Sequence, residues 1–343
     1  MDALIEPMLA KLTAAIPTAD GLSYEPKWDG FRGIVYFDGD TVEIGSRGSK
    51  LLTRYFPELV EMFQTQLPGP CILDGEIVVR SGVPGQERLD WDVLSQRIHP
   101  AASRVAKLAV ETPASFVAFD LLSLDGASMM EKPFSTRRSA LEKLLVAAQA
   151  PLHLSQTTRD AALATRWLAE FEGAGLDGVV AKPLDAPYGP GKRTMFKTKH
   201  DRTADVVLLG YRVHSSGAGV GSLLLGLYGA DGELRNVGGA SAFTNVRRLE
   251  LVDELASLVV RDADGDAVKG ATERSRFSGN KDVSFVALRP ERVLEVKYDQ
   301  MEGSRFRHTV QFLRWRPDRD ATSCTYDQLE LPTAYDLAEV FVH

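Results

Sequence analysis

Lys27 is the residue whose neighbours are most suited to covalent chemistry. It lies in YEPKWDGFRG, residues 24–33, beside Trp28 and Asp29. A free lysine has a pKa of about 10.4, so only about one in two thousand carries a neutral amine at pH 7. Nearby cations or a metal lower that pKa and make the amine a nucleophile. On KxDG alone, a surface lysine in a turn is the better interpretation, because four-residue patterns recur by chance.

Three lysines further along the chain could supply those cations. Lys182 ends DGVVAK, and Lys197 and Lys199 lie in MFKTK, where a strand would point both to one face. If they converge on Lys27, they form a cationic pocket that suits a polyphosphate and lowers the pKa of the nucleophile. Each lysine taken singly is better explained as a solvated strand residue.

The elements that would position these residues alternate between strands and helices. Residues 33–47 alternate apolar and polar side chains around Asp38-Gly39-Asp40, which predicts a hairpin. Helical spacing follows, with Pro57 at a helix start or an irregular point, and a later helix has Ser135 as its predicted N-cap. The predicted helices cover residues 51–67 and 135–149, and the predicted strands cover residues 71–79, 115–124 and 177–183.

The pattern changes after residue 203, where strands dominate. One helix, residues 244–260, interrupts them. Five strands with one helix predict a small closed barrel of the OB type. We therefore expect an α+β chain with domains at residues 1–203 and 204–343. The five predicted strands cover residues 204–213, 222–229, 233–239, 292–301 and 307–316.

Composition excludes several classes of protein. The net charge of -7 argues against a polyanion-binding surface over the whole molecule, although it permits a local basic face. Cys71 and Cys324 are the only cysteines, and their separation suggests neither a zinc site nor a disulfide framework. The sequence shows no signal peptide pattern and no apolar run of about 20 residues. The default expectation is a cytoplasmic protein in a reducing compartment.

The ordered set of short motifs resembles a known superfamily. KWDGFR, SRG, LDGEIVV, FVAFDLL, DGVVAKP, MFKTKH and RWRPDR look like those of covalent nucleotidyltransferases. Within that superfamily the chain resembles small bacterial ATP-dependent DNA ligases, of the ligase C type and of the ligase domain of end-joining enzymes. The resemblance covers nearly the whole chain. It implies an adenylation domain followed by an OB barrel, and an enzyme that seals nicks through lysyl-AMP and adenylated DNA.

The resemblance also implies what the enzyme would need. ATP would be the nucleotide, with magnesium or manganese as the metal. Nicked double-stranded DNA would be the substrate, and repair or end-joining proteins are the expected partners. The protein would be a monomer with no membrane contact, associated with the nucleoid through DNA.

The resemblance assigns roles around the nucleotide. Lys27 would attack the α-phosphate, and Glu25 would contact the adenine amino group. Arg32 would touch the ribose or a phosphate, and Arg47 would bind the nucleotide or the DNA 5′-phosphate. Phe119 would stack on adenine; taken singly, it is better explained as a core aromatic residue.

Two acids and three lysines complete the implied site. Glu76 would lie near the ribose of ATP and the metal, and Asp177 would bind the metal. Lys182, Lys197 and Lys199 would hold the α-phosphate. Asp177 is a departure, because the family usually carries the longer glutamate there. Met195 stands where the family often has tryptophan, and can still form an apolar floor for the base.

The arginine-rich stretch RFRHTVQFLRWRPDR would act on phosphates. Arg316 and Arg319 would close over the β- and γ-phosphates, although the family pattern usually ends in lysine where Arg319 stands. Arg305, Arg307 and Arg314 would follow the DNA backbone. Without the resemblance, these arginines would indicate only a charged barrel face.

Two alternatives remain open at this stage. One is an RNA ligase or an RNA-capping guanylyltransferase of the same superfamily, which would differ in its base and its nucleic acid. The other is a noncatalytic DNA-binding barrel protein, which would bind DNA without forming covalent AMP.

Overall fold

The chain forms two compact units. The computed structural model describes residues 4–48, 50–271, 284–330 and 332–341. The first unit comprises Met1–Lys199 together with Pro332–His343, and the second comprises His200–Leu331. The chain therefore passes from one unit to the other twice. The sequence-based division at residue 203 differs from these units in the C-terminal segment, which belongs to the first.

Over its described residues, the first unit combines two sheets with five helices. Its strands are β1 (Leu9–Thr13), β2 (Leu22–Pro26), β3 (Phe31–Phe37), β4 (Val42–Ser46), β5 (Cys71–Ser81), β6 (Arg88–Leu89), β7 (Ala114–Leu124), β8 (Ala127–Ser128), β9 (Leu152–Leu154), β10 (Val179–Pro183) and β11 (Arg193–Thr198). Its helices are α1 (Pro57–Gln66), α2 (Trp91–Ser95), α3 (Ala102–Glu111), α4 (Phe134–Leu144) and α5 (Ala161–Glu170). Short 3-10 turns cover Thr53–Tyr55 and Leu337–Glu339.

A four-stranded sheet in the order β1-β11-β10-β2 carries part of the predicted site. Val180 is paired with Glu25 on one side and with Lys197 on the other. Residues in cross-strand register share a face of the sheet, and so do residues two apart in one strand. Glu25, Lys197 and Lys182 therefore project from the same face.

A seven-stranded sheet carries the other part. Its main order is β4-β3-β5-β7-β8, with β6 on β5 and β9 on β7. Arg32 is paired with Glu76, which is paired in turn with Val117. Phe119, two residues after Val117 in β7, lies on that face as well.

Two turns in this unit follow from local chemistry. The predicted hairpin is confirmed as β3 and β4, and the Asp38 carboxylate accepts hydrogen bonds from the backbone of Asp40 and Thr41 at 2.9 and 2.7 Å. Pro57 occupies the first turn of α1, where its missing N–H costs nothing.

The predicted cap of α4 is wrong. The helix begins at Phe134, one residue before Ser135, and Pro133 precedes it without a side-chain cap. The N–H groups of Phe134 and Ser135 instead donate to the carbonyls of Ala186 and Leu184, both at 2.9 Å, so the first turn needs no side-chain cap. Inside α4, Arg137 forms a buried bidentate ion pair with Asp120, at 2.7 and 2.9 Å. This pair fixes α4 against β7 directly beside Phe119.

The second unit is a barrel of the OB type. Its elements are β12 (Arg202–Val213), β13 (Val220–Tyr228), β14 (Leu234–Ala240), α6 (Asn245–Leu255), β15 (Lys269–Ala271), β16 (Ser284–Ala287), β17 (Val293–Tyr298), β18 (Met301–Glu302), β19 (Arg305–Phe306) and β20 (Gln311–Trp315), with 3-10 turns at Ala256–Leu258, Ala321–Ser323 and Tyr326–Gln328.

Five strands form the wall of this barrel and match the five predicted strands. They run in the order β14-β13-β12-β17-β20. Val310, just before β20, makes a parallel bridge to Ala240 of β14 and donates its N–H to the carbonyl of Gly239 at 3.0 Å. This bridge links the two edges of the sheet. β15, β16 and β19 lie outside the predicted strands, and β18 overlaps one of them only at Met301.

Among the described residues, no helix is both long enough and apolar enough to cross a membrane.

Candidate active site

A cavity in the first unit collects most of the predicted nucleotide-binding residues. Side chains from the two sheet faces described above line it. Residues just before β1 and at its start complete the lining. Its chemically active lining consists of Glu25, Lys27, Arg32, Arg47, Glu76, Phe119, Lys182, Arg193, Met195 and Lys197. Six of these side chains are cationic, which suits a polyphosphate.

The backbone around Lys27 is fixed although β2 ends one residue earlier. The Lys27 N–H donates to the carbonyl of Gly178 at 2.8 Å, and the Asp177 N–H donates to the carbonyl of Lys27 at 3.0 Å. Gly178 has a φ of 137°, and a Cβ there would lie 2.1 Å from the carbonyl oxygen of Thr198. Only glycine permits this close approach, so the geometry requires the glycine of DGVV.

Asp177 joins two of the predicted lysines. Its carboxylate contacts the Nζ of Lys27 and lies 2.8 Å from the Nζ of Lys199. Asp177 is buried, whereas about a fifth of each lysine side chain is exposed. Burial, followed by the charges of Lys27 and Lys199, lowers the pKa of Lys197. The three lysines thus lie close enough to affect one another.

A second acid–lysine pair lies deeper. Lys182 is 2.8 Å from Oε2 of Glu25 and donates to the carbonyl of Phe119 at 3.1 Å. Both side chains of the pair are almost fully buried. Burial raises the pKa of Glu25, and the charge of Lys182 opposes that shift. The other carboxylate oxygen of Glu25, Oε1, is buried without a hydrogen-bond partner among the described residues.

Arg32 is oriented by two residues that the sequence analysis missed. Its guanidinium makes a bidentate ion pair with Asp74, which also accepts a hydrogen bond from the Tyr188 hydroxyl at 2.6 Å. Asp74 is fully buried. A buried carboxylate needs partners, and the cation and the hydroxyl supply them. In the sequence, the acid in LDGE could have been noticed because it interrupts an apolar strand. No local pattern indicates a role for Tyr188, since its partner is far away in sequence.

Glu76 faces the cavity from β5. Its Oε1 accepts the Gly30 N–H at 3.2 Å, so the glycine of KWDG orients it. A Cβ on Gly30 would lie 2.0 Å from the carbonyl oxygen of Ile77, which explains the glycine. Burial raises the pKa of Glu76 to about 7, while the charges of Arg32 and Lys27 favour the ionised form. Arg32 and Lys27 therefore act on the Glu76 carboxylate through their charge, and the Gly30 N–H is its direct hydrogen-bond contact.

Aromatic and apolar side chains complete the cavity. The Phe119 ring has the Arg32 guanidinium 4.5 Å and the Lys182 ammonium 4.8 Å from its centroid. Such contacts favour a cation over the ring face. Met195 is buried and lines the cavity, whereas Arg47 is exposed at its edge.

The five arginines predicted to act on phosphates belong to the second unit, where each has an acidic or polar neighbour. Arg316 contacts Asp205 at 2.8 Å and Asp318 at 2.7 Å, and Arg319 lies 3.4 Å from Asp205. The other three have the following neighbours: Arg305 contacts Asn236 at 2.9 Å, Arg314 contacts Glu295 at 2.6 Å, and Arg307 lies 4.0 Å from Glu302. Burial lowers the pKa of Arg307 to about 10. Any phosphate bound here would exchange with these neighbours.

Sequence comparison identifies the class of protein. The family model described as "ATP dependent DNA ligase domain" matches residues 7–199, and the one described as "ATP dependent DNA ligase C terminal region" matches residues 216–319. The chain belongs to the ATP-dependent DNA ligase family. It is an enzyme of that class, with ATP as its nucleotide.

Individual relatives refine that assignment. The chain is 53% identical to DNA ligase C1 of Mycolicibacterium smegmatis, over 98% of its own length and 97% of that protein. It is 32% identical to the multifunctional non-homologous end joining DNA repair protein LigD of Mycobacterium tuberculosis, of which it covers 36%. A solved Lig E DNA ligase, 17% identical with a TM-score of 0.55, shares the fold over 91% of this chain and 100% of that one.

Proposed function

We propose that the chain seals nicks in duplex DNA through a covalent AMP on Lys27. The observation that carries this proposal is the placement of Lys27, whose Nζ contacts Asp177 beside a cavity lined by cations. Membership of the ligase family supports the overall reaction. The residue roles below are inferred from geometry.

The cavity has the chemistry that a bound adenosine phosphate needs. The unpartnered Oε1 of Glu25 is a buried acceptor, which the amino group of adenine would satisfy. Phe119 and Met195 supply apolar contact for the base. The base would lie against the Phe119 ring, next to the cations that contact this ring. Arg32 and Arg47 are suited to the sugar and phosphates. Lys182 and Lys197 are suited to the α-phosphate. Lys199 lies close to Lys27 because both lysines contact the carboxylate of Asp177.

The acids fit a divalent metal shared with the nucleotide. The described residues contain no cluster of three or more His, Cys, Asp or Glu side chains that could form a complete metal site. Magnesium is commonly held by one or two carboxylates together with substrate phosphates and water. Glu76 and Asp177 are the carboxylates that would take this role. When bound, the metal would neutralise charge on the phosphate oxygens.

The proposed reaction has three transfers. The neutral amine of Lys27 attacks the α-phosphorus of ATP, an N–P bond forms, pyrophosphate leaves as the P–O bond breaks, and the nitrogen loses one proton. A 5′-phosphate oxygen of the nick then attacks the same phosphorus, the N–P bond breaks, AMP passes to DNA, and the Lys27 amine regains a proton. Finally the 3′-hydroxyl loses its proton and attacks the 5′-phosphorus, and AMP leaves. Such chemistry depends mostly on positioning and charge neutralisation.

A labelling experiment tests this proposal. The protein is incubated with α-labelled ATP and magnesium or manganese, then with nicked DNA. We expect a label that survives denaturing electrophoresis, is released by hydroxylamine at mildly acidic pH, and disappears when nicked DNA is sealed. Labelling by GTP instead would indicate a guanylyltransferase, and sealing of nicked RNA alone would indicate an RNA ligase. DNA binding without label would indicate a noncatalytic barrel protein.

Glu25 is expected to determine the choice of base. A carboxylate only accepts hydrogen bonds, so it suits the adenine amino group and repels the guanine carbonyl oxygen. Glutamine can donate as well as accept. We expect Glu25→Gln to reduce the preference for ATP over GTP in label formation by about tenfold. The exposed Glu142 provides the control variant Glu142→Gln. An unchanged preference would show that Glu25 does not read the base.

Lys197 is expected to set an alkaline limit on nucleotide binding. Its pKa is lowered by burial and by Lys27 and Lys199, so it loses its charge at a lower pH than an ordinary lysine. Affinity for a non-reactive α,β-methylene analogue of ATP should therefore fall as pH rises through this range. Lys197→Arg should retain its charge and move the fall to higher pH. Titration curves that superimpose, with Lys143→Arg as the control, would contradict this assignment.

The second unit would bind phosphates of pyrophosphate and DNA. We infer that Arg316 and Arg319 contact the leaving pyrophosphate, and that Arg305, Arg307 and Arg314 follow the DNA backbone. Their present acidic or polar neighbours would be exchanged for phosphates, which is favourable where counterions leave the DNA. We further propose a monomer in the cytoplasm, bound to the nucleoid through DNA. Repair or end-joining proteins would be its partners, which the similarity to LigD supports.

A further inference from the structure

The C-terminal segment is part of the unit that contains Lys27. Its 3-10 turn Leu337–Glu339 is fixed where the Leu337 N–H donates to the carbonyl of Glu87 at 2.9 Å. The Gln156 side chain donates to the carbonyl of Val340 at 3.2 Å. The side chains of Leu337, Val340 and Phe341 are buried in one apolar cluster that also contains Trp28. The end of the described chain therefore packs as core.

Phe341 inserts between two aromatic side chains. Its ring stacks on Trp28 with centroids 5.1 Å apart and planes 17° apart. On His153 the corresponding values are 4.0 Å and 25°. Offset stacking of this kind adds a directional contact to apolar burial, so it fixes the plane of the Trp28 indole.

Trp28 connects this stack to the reacting amine. It follows Lys27 directly, lines the same cavity, and donates from Nε1 to Oγ of Ser155 at 2.9 Å. Lys27 lies beyond the last residue of β2, so the regular ladder of that strand does not hold it. The Lys27 side chain contacts Asp177. Its backbone is held by the two hydrogen bonds with residues 177 and 178 and by the anchoring of Trp28.

We propose that Phe341 is a positioning residue for covalent adenylation. By holding the Trp28 ring, it fixes the segment from which Lys27 approaches the α-phosphorus. The inference rests on the proposed role of Lys27. The effect would be on the rate of the chemical step rather than on ATP affinity, because Phe341 does not line the cavity. Small displacements of a reacting group are costly: about 1 Å can cost about 100-fold in rate.

Full-length variants separate this role from simple stability. Phe341→Leu keeps apolar volume but removes the ring, and Phe341→Tyr keeps the ring. Leu59→Ala, in the buried core of α1 away from Lys27, supplies a general loss of stability for comparison. Single-turnover formation of lysyl-AMP is measured against ATP concentration, and thermal unfolding is measured for each variant.

We expect Phe341→Leu to slow lysyl-AMP formation at saturating ATP by about tenfold, with the ATP concentration for half-maximal rate changed by less than about threefold. Phe341→Tyr should remain close to wild type, and Leu59→Ala should retain the rate while folded. The inference is overturned if Phe341→Leu reacts at the wild-type rate, if Phe341→Tyr is equally slow, or if Leu59→Ala slows to the same extent. If the wild-type protein itself forms no label, the proposed function fails instead.

Discussion

Lys27→Ala is expected to abolish formation of the covalent AMP, with a loss of more than about 1,000-fold. The variant removes the amine that contacts Asp177 and would attack the α-phosphorus. Lys27→Arg should be equally inactive, because a guanidinium stays protonated and cannot act as the nucleophile. Transfer of label from α-labelled ATP measures the effect directly.

A second substrate isolates the step that Lys27 performs. On a nick already carrying 5′-AMP, the final attack uses the DNA 3′-hydroxyl and needs no enzyme-bound AMP. The Lys27 variants should therefore seal this pre-adenylated nick measurably, while failing with ATP and an ordinary nick. Lys143→Ala, at an exposed position on α4, is the matched control and should label normally. Equal labelling by wild type and Lys27→Ala would refute the assignment of the nucleophile.

Asp177→Asn is expected to lower the rate of lysyl-AMP formation by about 100- to 1,000-fold. The substitution keeps the shape of the side chain but removes the charge that Lys27 and Lys199 share. Both lysines would lose their anionic partner, and a candidate metal ligand would be lost. Asp177→Glu keeps the charge and adds one methylene, so we expect it to retain activity within about tenfold.

Metal dependence distinguishes the two roles of Asp177. If the carboxylate binds the metal, Asp177→Asn should require a higher magnesium or manganese concentration for half-maximal labelling, and excess metal should partly restore the rate. If it only orients the lysines, the metal requirement should stay constant while the maximal rate falls. Asp185→Asn, at an exposed position after β10, serves as the control. Full activity in Asp177→Asn at limiting metal would exclude both roles.

Much of the fold follows from local patterns in the sequence. Alternation around Asp38 predicts the β3–β4 hairpin, and the five apolar strands with one helix predict the OB barrel. Proline restricts its own backbone, so Pro57 marks the start of α1. The cap of α4 is an exception, because its first N–H groups, those of Phe134 and Ser135, donate to the distant carbonyls of Ala186 and Leu184 and no side-chain cap is used.

The candidate site divides in a similar way. Short motifs with charged residues at fixed spacing, such as KWDG and DGVVAK, are local, so the sequence determined which lysines and acids were candidates. The glycines in those motifs are explained only by the fold: Gly30 and Gly178 each lie where a Cβ would meet a backbone oxygen from a distant strand. The motif identifies the residue, and the tertiary contact supplies the reason.

What only the tertiary structure decided is the partner of each group. Asp74 and Tyr188 orient Arg32, one carboxylate oxygen of Glu25 has no described partner, and Phe341 stacks on the residue after Lys27. The residues that contact one another here are separated by tens to hundreds of residues along the chain. Periodicity and propensity describe only neighbours in sequence, whereas burial and ion pairing depend on neighbours in space. The sequence thus determined the chemistry available to this ligase, and the fold determined how each of those groups is oriented.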